Sequence, residues 1–364
     1  MIVAHDVQAL LAKLGLPSLR AARGRSDLLQ LLNHPSMIGQ MDVSALLWHE
    51  QEVVIENPVY VPRDFAVDDY LLPRIKAALI EEGQAAIEIG DNRELNNCNK
   101  TVFGQLAIDL ERLLQYEIND EQAAKLPAIR TDKRNRRFFD EGAVRITTSK
   151  SAGQSYGAFL NDGMHIVHSG TCNDGVGKSM SGGTIVVKSP GGGSPEAGCN
   201  VLIGNFGLFG ATGGRLFVEG EAGDRFAVRN SGTVAVLEGL GDFGCEYMTN
   251  GAVLNLGAFG KGFGNGMSGG YAYQYDPEGK LADSYSADSV FLCNAGDETD
   301  EAAIHRDAIL QMLTEHVTET ASPRGKAILD NFDAQIANFR YLKPQRFAVY
   351  QAAAAILAKA SRKA

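Results

Sequence analysis

The sequence lacks the features that place a protein in or across a membrane. No window approaches 18 consecutive apolar residues, the length that a membrane-spanning helix needs. The first residues, Met1 to Asp6, have neither the basic nor the apolar segment of a secretory signal. The cysteines include no CxxC pair and stand at positions 98, 172, 199, 245 and 293. We therefore expect reduced thiols in a cytoplasmic protein with no membrane partner.

The chain also has no excess of positive charge. Its 34 Lys and Arg residues are outnumbered by 44 Asp and Glu residues, which gives a formal net charge of −10. A nucleic-acid partner needs a clustered basic face, and the only basic run is the short segment 130–137. We expect that run to be a solvated connector or a salt-bridged contact, and we expect no nucleic-acid partner.

Glycine is abundant in one part of the chain, where it marks a repeat. Of the 41 glycines, 31 fall between residues 151 and 270. Five similar hexapeptides have their third residues at positions 183, 214, 233, 251 and 270. The spacings are 31, 19, 18 and 19, and the insertion 190–195 explains the longer first one. A period near 19, with a short strand and a Gly/Asn turn per unit, is typical of a β-solenoid.

The turns of this repeat supply the candidate structural positions. Glycine and asparagine adopt positive φ at little cost, so we expect them at the corners of the coils. The candidate corner residues are Gly183, Gly214, Gly232, Gly251, Gly270, Asn205 and Asn230. The alternative, an antiparallel sandwich with Gly-rich hairpins, would show turns every 8–12 residues.

The regions that flank the repeat have helical periodicity. Apolar residues recur with a period of 3.6 over 70–82, over 101–117 and from Ile304 to Val317. Ser322 and Pro323 form an N-cap followed by proline at the first helical position, and a last helix is expected from Pro344 to about Ala360. The predicted fold is thus mainly β, a right-handed parallel β-helix (a single-stranded solenoid) flanked by α-helical segments. Its predicted regions are a helical or mixed connecting region (1–140), the β-helix (141–290) and a helical tail (291–364).

Three short motifs resemble catalytic or nucleotide-binding sequences, but none has the required context. The segment 172–179 has Cys172 where a phosphate loop needs glycine. The segment 264–269 matches GxGxxG without a surrounding βαβ unit. Ser155 lies in a G-x-S-x-G match that is not followed by a helical period. His165 and His168 are three residues apart in an expected strand, so they should point to opposite faces. We assign no catalytic, cofactor-binding or metal-binding residue, although a Ser/His/Asp triad stays open because its members need not be adjacent.

Several segments resemble one known family. The segment 150–159, Lys-Ser-Ala-Gly-Gln-Ser-Tyr-Gly-Ala-Phe, is similar to the entry sequence of the carboxy-terminal GXGXG domain of glutamate synthase large subunits. Further similar segments are 204–217, 224–232, 244–249 and 263–270, together with 24–29 and the Ser322-Pro323-Arg324 tail. The resemblance implies a right-handed β-helix. The chain departs from the family pattern at Cys172, Gly175 and Ser179, which lie near one corner.

The resemblance implies a role without catalysis on this chain. Glutamate synthases have an amino-terminal cysteine nucleophile, an FMN-binding barrel and an iron–sulfur cluster, whereas this sequence begins with Met1 and has no closely spaced cysteine triplet. We expect a structural subunit of a split complex that makes glutamate or N-methylglutamate, inactive alone and without its own cofactor. The implied partners are a class II glutamine amidotransferase-like subunit and a synthase subunit that carries FMN and the iron–sulfur cluster. The segment from Trp48 to Tyr70 is a candidate partner surface, with an ordinary buried strand or two as the alternative.

Two other functions remain open from the sequence. One is the related β-helix subunit of formylmethanofuran dehydrogenase, which the tail around Ser322 disfavours. The other is a stand-alone solenoid binding protein or a carbohydrate-active enzyme. Most carbohydrate-cleaving enzymes need paired carboxylates, and the repeat offers only scattered acids. These are Glu219, Glu221, Asp224 and Glu238.

Overall fold

The computed structural model describes residues 2–30, 44–48, 65–191 and 200–345 of the chain. The chain divides into two units, residues 1–63 and 64–364. In the first unit, the described elements are α1 (Ile2–Lys13), α2 (Leu19–Ala22) and the 3-10 turns Ser26–Leu28 and Ser44–Leu47. The Oγ of Ser26 donates to the carbonyl of Trp48 at 2.7 Å and so joins the two turns. The predicted partner surface between Trp48 and Tyr70 falls largely on residues 49–64, which lie outside the described residues.

The second unit combines helices with a large sheet. Its described helices are α3 (Ala66–Lys76, continued by a π-turn at Ala77–Glu81), α4 (Gly104–Arg112, continued at Leu113–Glu117), α5 (Asp120–Ala123), α6 (Asp300–Thr320), α7 (Pro323–Leu329) and α8 (Phe332–Gln335), with 3-10 turns at Lys280–Asp283 and Ile336–Asn338. Its described strands are β1 (Ile87–Leu95), β2 (Ile129–Thr131), β3 (Arg137–Phe139), β4 (Val144–Ala152), β5 (Met164–Cys172), β6 (Ser181–Lys188), β7 (Val201–Ile203), β8 (Gly213–Val218), β9 (Glu221–Ala222), β10 (Ser231–Leu240), β11 (Thr249–Ala258), β12 (Gly269–Tyr275), β13 (Val290–Asn294) and β14 (Phe339–Pro344). None of the described helices is long and apolar enough to cross a membrane.

The main strands stack in parallel, one coil on the next. The order β1-β4-β5-β6-β8-β10-β11-β12 contains parallel pairs throughout, and the short strands β7 and β9 pair beside it. The pairing puts one residue of each coil in register, and that column is Ile185, Leu216, Ala235, Val253 and Ala272. The period read from the sequence therefore sets the strand register, and the predicted parallel β-solenoid is confirmed.

The sheet is buried on both faces. In β8, the side chains of Leu216 and Val218 belong to the core inside the coils, whereas Phe217 between them belongs to a second core. The second core lies between the outer face of the sheet and helices α6 to α8, and Met312 and Leu313 of α6 contribute to it. Because successive side chains of a strand point to opposite faces, each strand serves both cores. Helix α6 is thereby held along the side of the solenoid.

The two ends of the solenoid are covered differently. At the first end, α3 and α4 share the interior core with β1 and β4. The carboxylate of Asp68, which is buried, accepts hydrogen bonds from the backbone N–H of Phe103 at 2.8 Å and of Leu106 at 3.0 Å, and so caps α4. At the other end, β14 pairs antiparallel with β12 and β13 pairs antiparallel with β14. The strands 290–294 and 339–344 therefore extend the sheet beyond the last parallel coil. Strand β1 also joins the sheet ahead of residue 141.

The tail helices have N-cap residues, and the cap at Ser322 lies where the sequence predicts it. Thr299 caps α6, whose first turn contains Asp300 and Glu301. The Oγ of Ser322 accepts from the N–H of Gly325 at 2.8 Å and caps α7, with proline at the first helical position. Residue 344, expected to begin a helix, instead ends β14, and residues 346–364 lie outside the described residues.

Candidate functional site

Each coil contains a five-residue segment in which positive φ alternates with ordinary φ. In the segment 206–210, Phe206, Leu208 and Gly210 have φ values of +43°, +60° and +64°, and the residues between them do not have positive φ. We call such a segment a rung. The rungs are 155–159, 175–179, 206–210, 225–229, 243–247 and 262–266, each with positive φ at its first, third and fifth residue. A non-glycine residue in this conformation costs about 1–2 kcal/mol, so the rungs need compensating interactions.

Backbone hydrogen bonds between coils supply that compensation. In the rung 206–210, the N–H of Leu208 donates to the carbonyl of Val176 in the preceding coil at 2.8 Å. The N–H of Phe206 donates in the other direction, to the carbonyl of Asp224 in the following coil, at 2.8 Å. The alternation of φ turns successive N–H groups to opposite sides, so each rung is bonded to both neighbours.

A ladder of side chains runs beside the rungs. The side-chain oxygens of Asp174, Asn205, Asp224 and Asp242 each accept a hydrogen bond from the backbone N–H of the equivalent residue one coil later, at 2.7–3.1 Å. Each of these acceptor oxygens lies only 2.1–2.4 Å from the position that a Cβ would occupy on the glycine one coil later. Those glycines are Gly204, Gly223, Gly241 and Gly260. We call these paired residues the Gly/Asx ladder.

The predicted corner glycines lie at the starts of strands rather than in the rungs. Gly183, Gly214, Gly251 and Gly270 have φ values of +73°, +89°, +91° and +78°. Gly232 does not have positive φ, but a Cβ there would lie 2.1 Å from the carbonyl oxygen of Thr212. Close approach of the neighbouring coil is thus the reason for glycine at position 232.

The two predicted corner asparagines act through their side chains. Neither Asn205 nor Asn230 has positive φ. The Oδ1 of Asn230, which is buried, accepts from the N–H of Gly232 at 3.1 Å and of Thr233 at 2.9 Å. Its Nδ2 donates to the carbonyl of Thr233 at 2.9 Å. Asparagine therefore satisfies corner N–H groups here, and the positive φ belongs to the residue before it, Arg229.

The three catalytic-like motifs each overlap a rung. Ser155 is the first residue of its rung, and strands β6 and β12 follow the segments 172–179 and 264–269. None is followed by the helix that a nucleophile elbow, a phosphate loop or a dinucleotide-binding turn needs. The thiol of Cys172 is fully buried, and this burial raises its pKa, so it is a poor nucleophile.

His165 and His168 point to opposite faces of β5, as their spacing predicts. The Nε2 of His165 lies 3.2 Å from an oxygen of Glu319 on α6. His168 points inward, with Nδ1 2.9 Å from the Oγ1 of Thr148, and burial lowers its pKa. His165 lines a polar groove of about 290 Å³ beside α6, where Arg215 pairs with Glu315 at 3.1 Å. These pairs tie α6 to the sheet.

A buried polar cluster joins the tail to the solenoid. The carboxylate of Glu238 accepts a short hydrogen bond from the Oγ of Ser322 and lies 3.2 Å from the Nε2 of His316. The Nε of Arg324 lies 3.8 Å from the other carboxylate oxygen. Glu238, His316 and Ser322 are all buried. The carboxylate stands between the hydroxyl and the imidazole, whereas a Ser/His/Asp triad has the imidazole in the middle. The cluster is therefore arranged as a structural contact.

The described residues include no group of three or more His, Cys, Asp or Glu side chains placed to hold a metal ion. The chain matches the family described as GXGXG motif over residues 79–345. The chain belongs to the GXGXG family. Its matched range includes β1 and all the rungs, and it ends just after β14.

Three relatives show where GXGXG sequences of this kind occur. The chain is 32% identical over 359 residues to "Glutamate synthase [NADH]" of Schizosaccharomyces pombe. This alignment covers 95% of the chain and 15% of that protein. It is 33% identical over 352 residues to "Glutamate synthase [NADPH] large chain" of Bacillus subtilis (95% and 21%) and 35% identical over 349 residues to "Ferredoxin-dependent glutamate synthase 2" of Synechocystis (93% and 20%). The chain thus spans 15–21% of the length of these relatives.

The Gly/Asx ladder has a signal in the sequence, which the hexapeptide repeat does not include. The pairs Gly204-Asn205, Gly223-Asp224 and Gly241-Asp242 recur at spacings of 19 and 18 residues. The rung 262–266 also has a signal, with glycine at its first, third and fifth residues, whereas Phe206 and Arg225 are not residue types that favour positive φ.

Proposed function

We propose that this GXGXG chain is a non-catalytic structural subunit of a glutamate synthase-type complex in the cytoplasm. Its partners are a class II glutamine amidotransferase-like chain and a chain that carries FMN and an iron–sulfur cluster. The product is glutamate or N-methylglutamate. The observation that carries the proposal is that 93–95% of the chain matches a segment of only 15–21% of three glutamate synthases.

The construction of the solenoid supports a scaffolding role. The coils are bonded to one another through the strands and the rungs, and those from Asp174 to Lys261 also through the Gly/Asx ladder. A solenoid of this kind is stiff along its axis and keeps attached domains at a fixed separation, which a flexible linker does not do. Fixed separation suits a complex in which ammonia or an amine passes from one chain to the next.

The polar side chains that resemble catalytic groups also favour this role. His168 and Cys172 lie inside the coils, and the Glu238 cluster lies beneath the tail helices. A substrate would reach none of these groups without displacing the core. The exposed surface of the solenoid is therefore better suited to holding partners than to catalysis.

The test is purification of the tagged chain from its native cell at low salt. We expect the amidotransferase-like and flavin chains to elute with it, together with flavin and iron–sulfur absorption and glutamine-dependent amine transfer. The isolated chain should be colourless and without glutaminase activity. Recovery of the tagged chain as a free monomer, or flavin bound to the isolated chain, would overturn the proposal.

A matched pair of variants makes the test independent of expression level. A Cβ on Gly257 would lie 1.8 Å from the carbonyl oxygen of Glu238, so Gly257→Val should disrupt the solenoid and lose the partners. A Cβ on Gly90 has only the Oε1 of Glu88 at 4.0 Å, so Gly90→Ala should keep them. Retention of partners by a misfolded Gly257→Val chain would show that the solenoid is not the scaffold.

A further inference from the structure

Five successive rungs each carry an aromatic or basic side chain at the fourth or fifth position. The residues are Phe159, Lys178, Phe209, Arg229 and Tyr247, each the fourth or fifth residue of its rung. We call them the aromatic–basic column. The exposed fractions are 43% for Phe159, 38% for Phe209 and 52% for Tyr247, and Arg229 is also exposed. Large apolar side chains that repeat along one exposed edge indicate a binding surface.

Backbone hydrogen bonds join the rungs that carry the column. The N–H of Phe159 donates to the carbonyl of Lys178 at 2.9 Å, and the N–H of Arg229 donates to the carbonyl of Glu246 at 2.9 Å. The column crosses five successive rungs. At about 4.8 Å per coil, its ends are about 19 Å apart, the length of an extended segment of about six residues at ~3.3 Å each.

The charges of the column are cationic, with Arg229 exposed and Lys178 half-buried. Lys178 and Arg229 form no ion pair with the residues that the structure describes, although the Nζ of Lys178 lies 5.9 Å from the ring centre of Phe209. Glu246, which lies one residue before Tyr247, is held by Arg225 at 3.0 Å. The column therefore complements an acidic segment that also carries apolar side chains.

The composition of the column favours a protein as the occupant. Aromatic residues and arginine are enriched at the centres of protein interfaces, where they contribute most of the binding energy. A nucleic acid needs a clustered basic face, and the column contains two cations, Lys178 and Arg229. The sheet side of the solenoid is occupied by α6 to α8, whereas these side chains remain exposed.

We propose that the aromatic–basic column docks an acidic, apolar-bearing segment of a partner protein chain. The proposal rests on the proposed function for the existence of that partner, and it adds which surface the partner uses. The column forms the centre of the interface, and surrounding residues complete the area of about 800 Å² per side that a stable contact needs.

The test uses the complex recovered with the wild-type chain. The column is changed in two variants, Lys178→Glu/Arg229→Glu and Phe209→Ser/Tyr247→Asn, since asparagine tolerates the positive φ of residue 247. The matched control is Lys133→Glu/Tyr116→Ser, at exposed positions outside the column. After dissociation, each chain is titrated against the partner chains that co-purified with the wild type. We expect Kd to rise about 10- to 100-fold for both column variants and to stay unchanged for the control.

Side-chain footprinting of the wild-type chain gives a second readout that needs no variant. Phe159, Phe209 and Tyr247 should be modified by hydroxyl radicals in the free chain and protected in the complex. Equal Kd values for column and control variants, with the complex intact, would overturn the column while leaving the proposed function in place. Protection of these three side chains in the free chain would also overturn the proposal. It would show that another segment of the same chain covers the column or, if the protection increases with protein concentration, that a second copy does. Failure to recover any partner would contradict both proposals.

Discussion

The Oδ1 of Asp224 lies 2.1 Å from the position that a Cβ on Gly241 would occupy, one coil further along the solenoid. The same oxygen accepts a hydrogen bond from the backbone N–H of Asp242 at 2.9 Å. The carboxylate therefore reaches its donor only because position 241 has no side chain. A side-chain oxygen at the Asx position of one coil thus requires glycine before the Asx position of the next coil. This requirement explains why Gly-Asx pairs recur with the period of the coils.

Replacing that glycine should destabilise the solenoid through steric overlap alone. Position 241 does not have positive φ, so Gly241→Ala adds no backbone strain of its own. We expect the free energy of unfolding to fall by about 1–3 kcal/mol, as in other overpacked sites, measured by urea denaturation. Gly90→Ala, where a Cβ meets nothing closer than 4.0 Å, should change it by less than about 0.5 kcal/mol.

The coupling to Asp224 is the sharper measurement. In an Asp224→Ala background the 2.1 Å overlap with Oδ1 is removed and only the backbone N and Cα of residue 224 stay close, at 3.0 and 3.1 Å, so Gly241→Ala should cost clearly less than in the wild type. A double-mutant cycle would give a coupling energy of about 1 kcal/mol or more. Strict additivity would show that the glycine is there for another reason.

Positive φ and close packing can be separated at two other glycines. Gly251 has φ +91°, and its Cβ would lie 2.5 Å from the carbonyl oxygen of Thr233, whereas Gly279 has φ +71° and open space around it. We expect Gly279→Ala to cost about 1 kcal/mol from backbone strain and Gly251→Ala about 2–4 kcal/mol from strain and overlap. Thermal unfolding of both variants tests this, and equal costs would contradict the role of the neighbouring coil.

The sequence predicted the solenoid because strand register in a stack follows directly from the repeat period. Leu216 and Ala235 are 19 residues apart and lie side by side in register. The rungs with other residues than glycine at the positive-φ positions could not be predicted, because their conformation depends on hydrogen bonds to neighbouring coils rather than on residue type. Arg225 and Phe243, for example, have φ of +61° and +58°. Local propensity opposes both, and the tertiary stack outweighs it.

The contacts between the tail and the solenoid also could not be predicted from the sequence. Ser322 was predicted as a helix cap, but its second contact, with Glu238, joins residues 84 apart. The strand 339–344 shares no period with the solenoid, so nothing in the pattern placed it beside β12. Such contacts are set by where the chain returns, which periodicity does not encode.

The buried contact between Glu238 and the tail should contribute substantially to stability. Glu238→Ala leaves His316 and Ser322 without their carboxylate in a buried site, so we expect a loss of about 3–5 kcal/mol. Amide hydrogen exchange should rise first in α7, whose cap Ser322 loses its second partner. Glu121→Ala at the exposed pair with Lys125 is the control and should cost about 1 kcal/mol or less. A similar small loss for both variants would show that the tail is held by its apolar contacts alone.

Stability should fall in mild acid because of His305. This buried side chain packs against the ring of Tyr341 at 4.0 Å and has Nδ1 2.9 Å from the hydroxyl of Tyr273. Burial, opposed by Glu301 and aided by Lys343, lowers its pKa to about 4. Above pH 6.5 the histidine is neutral in both states, so its contribution is complete. Between pH 6.5 and 4 only the unfolded chain binds the proton, so the free energy of unfolding decreases by about 3 kcal/mol as the pH falls.

The difference between wild type and His305→Gln isolates this contribution from His168, whose pKa burial also lowers. Glutamine keeps a partner for the Tyr273 hydroxyl but does not titrate. Its profile of unfolding free energy against pH should be flatter than that of the wild type between pH 6.5 and 4 and parallel to it above pH 6.5. His5→Gln, at an exposed position on α1, should leave the wild-type profile unchanged. Parallel profiles for wild type and His305→Gln through the acid range would show that His305 takes up its proton equally in the folded and unfolded chain, which its burial among the three aromatic rings opposes.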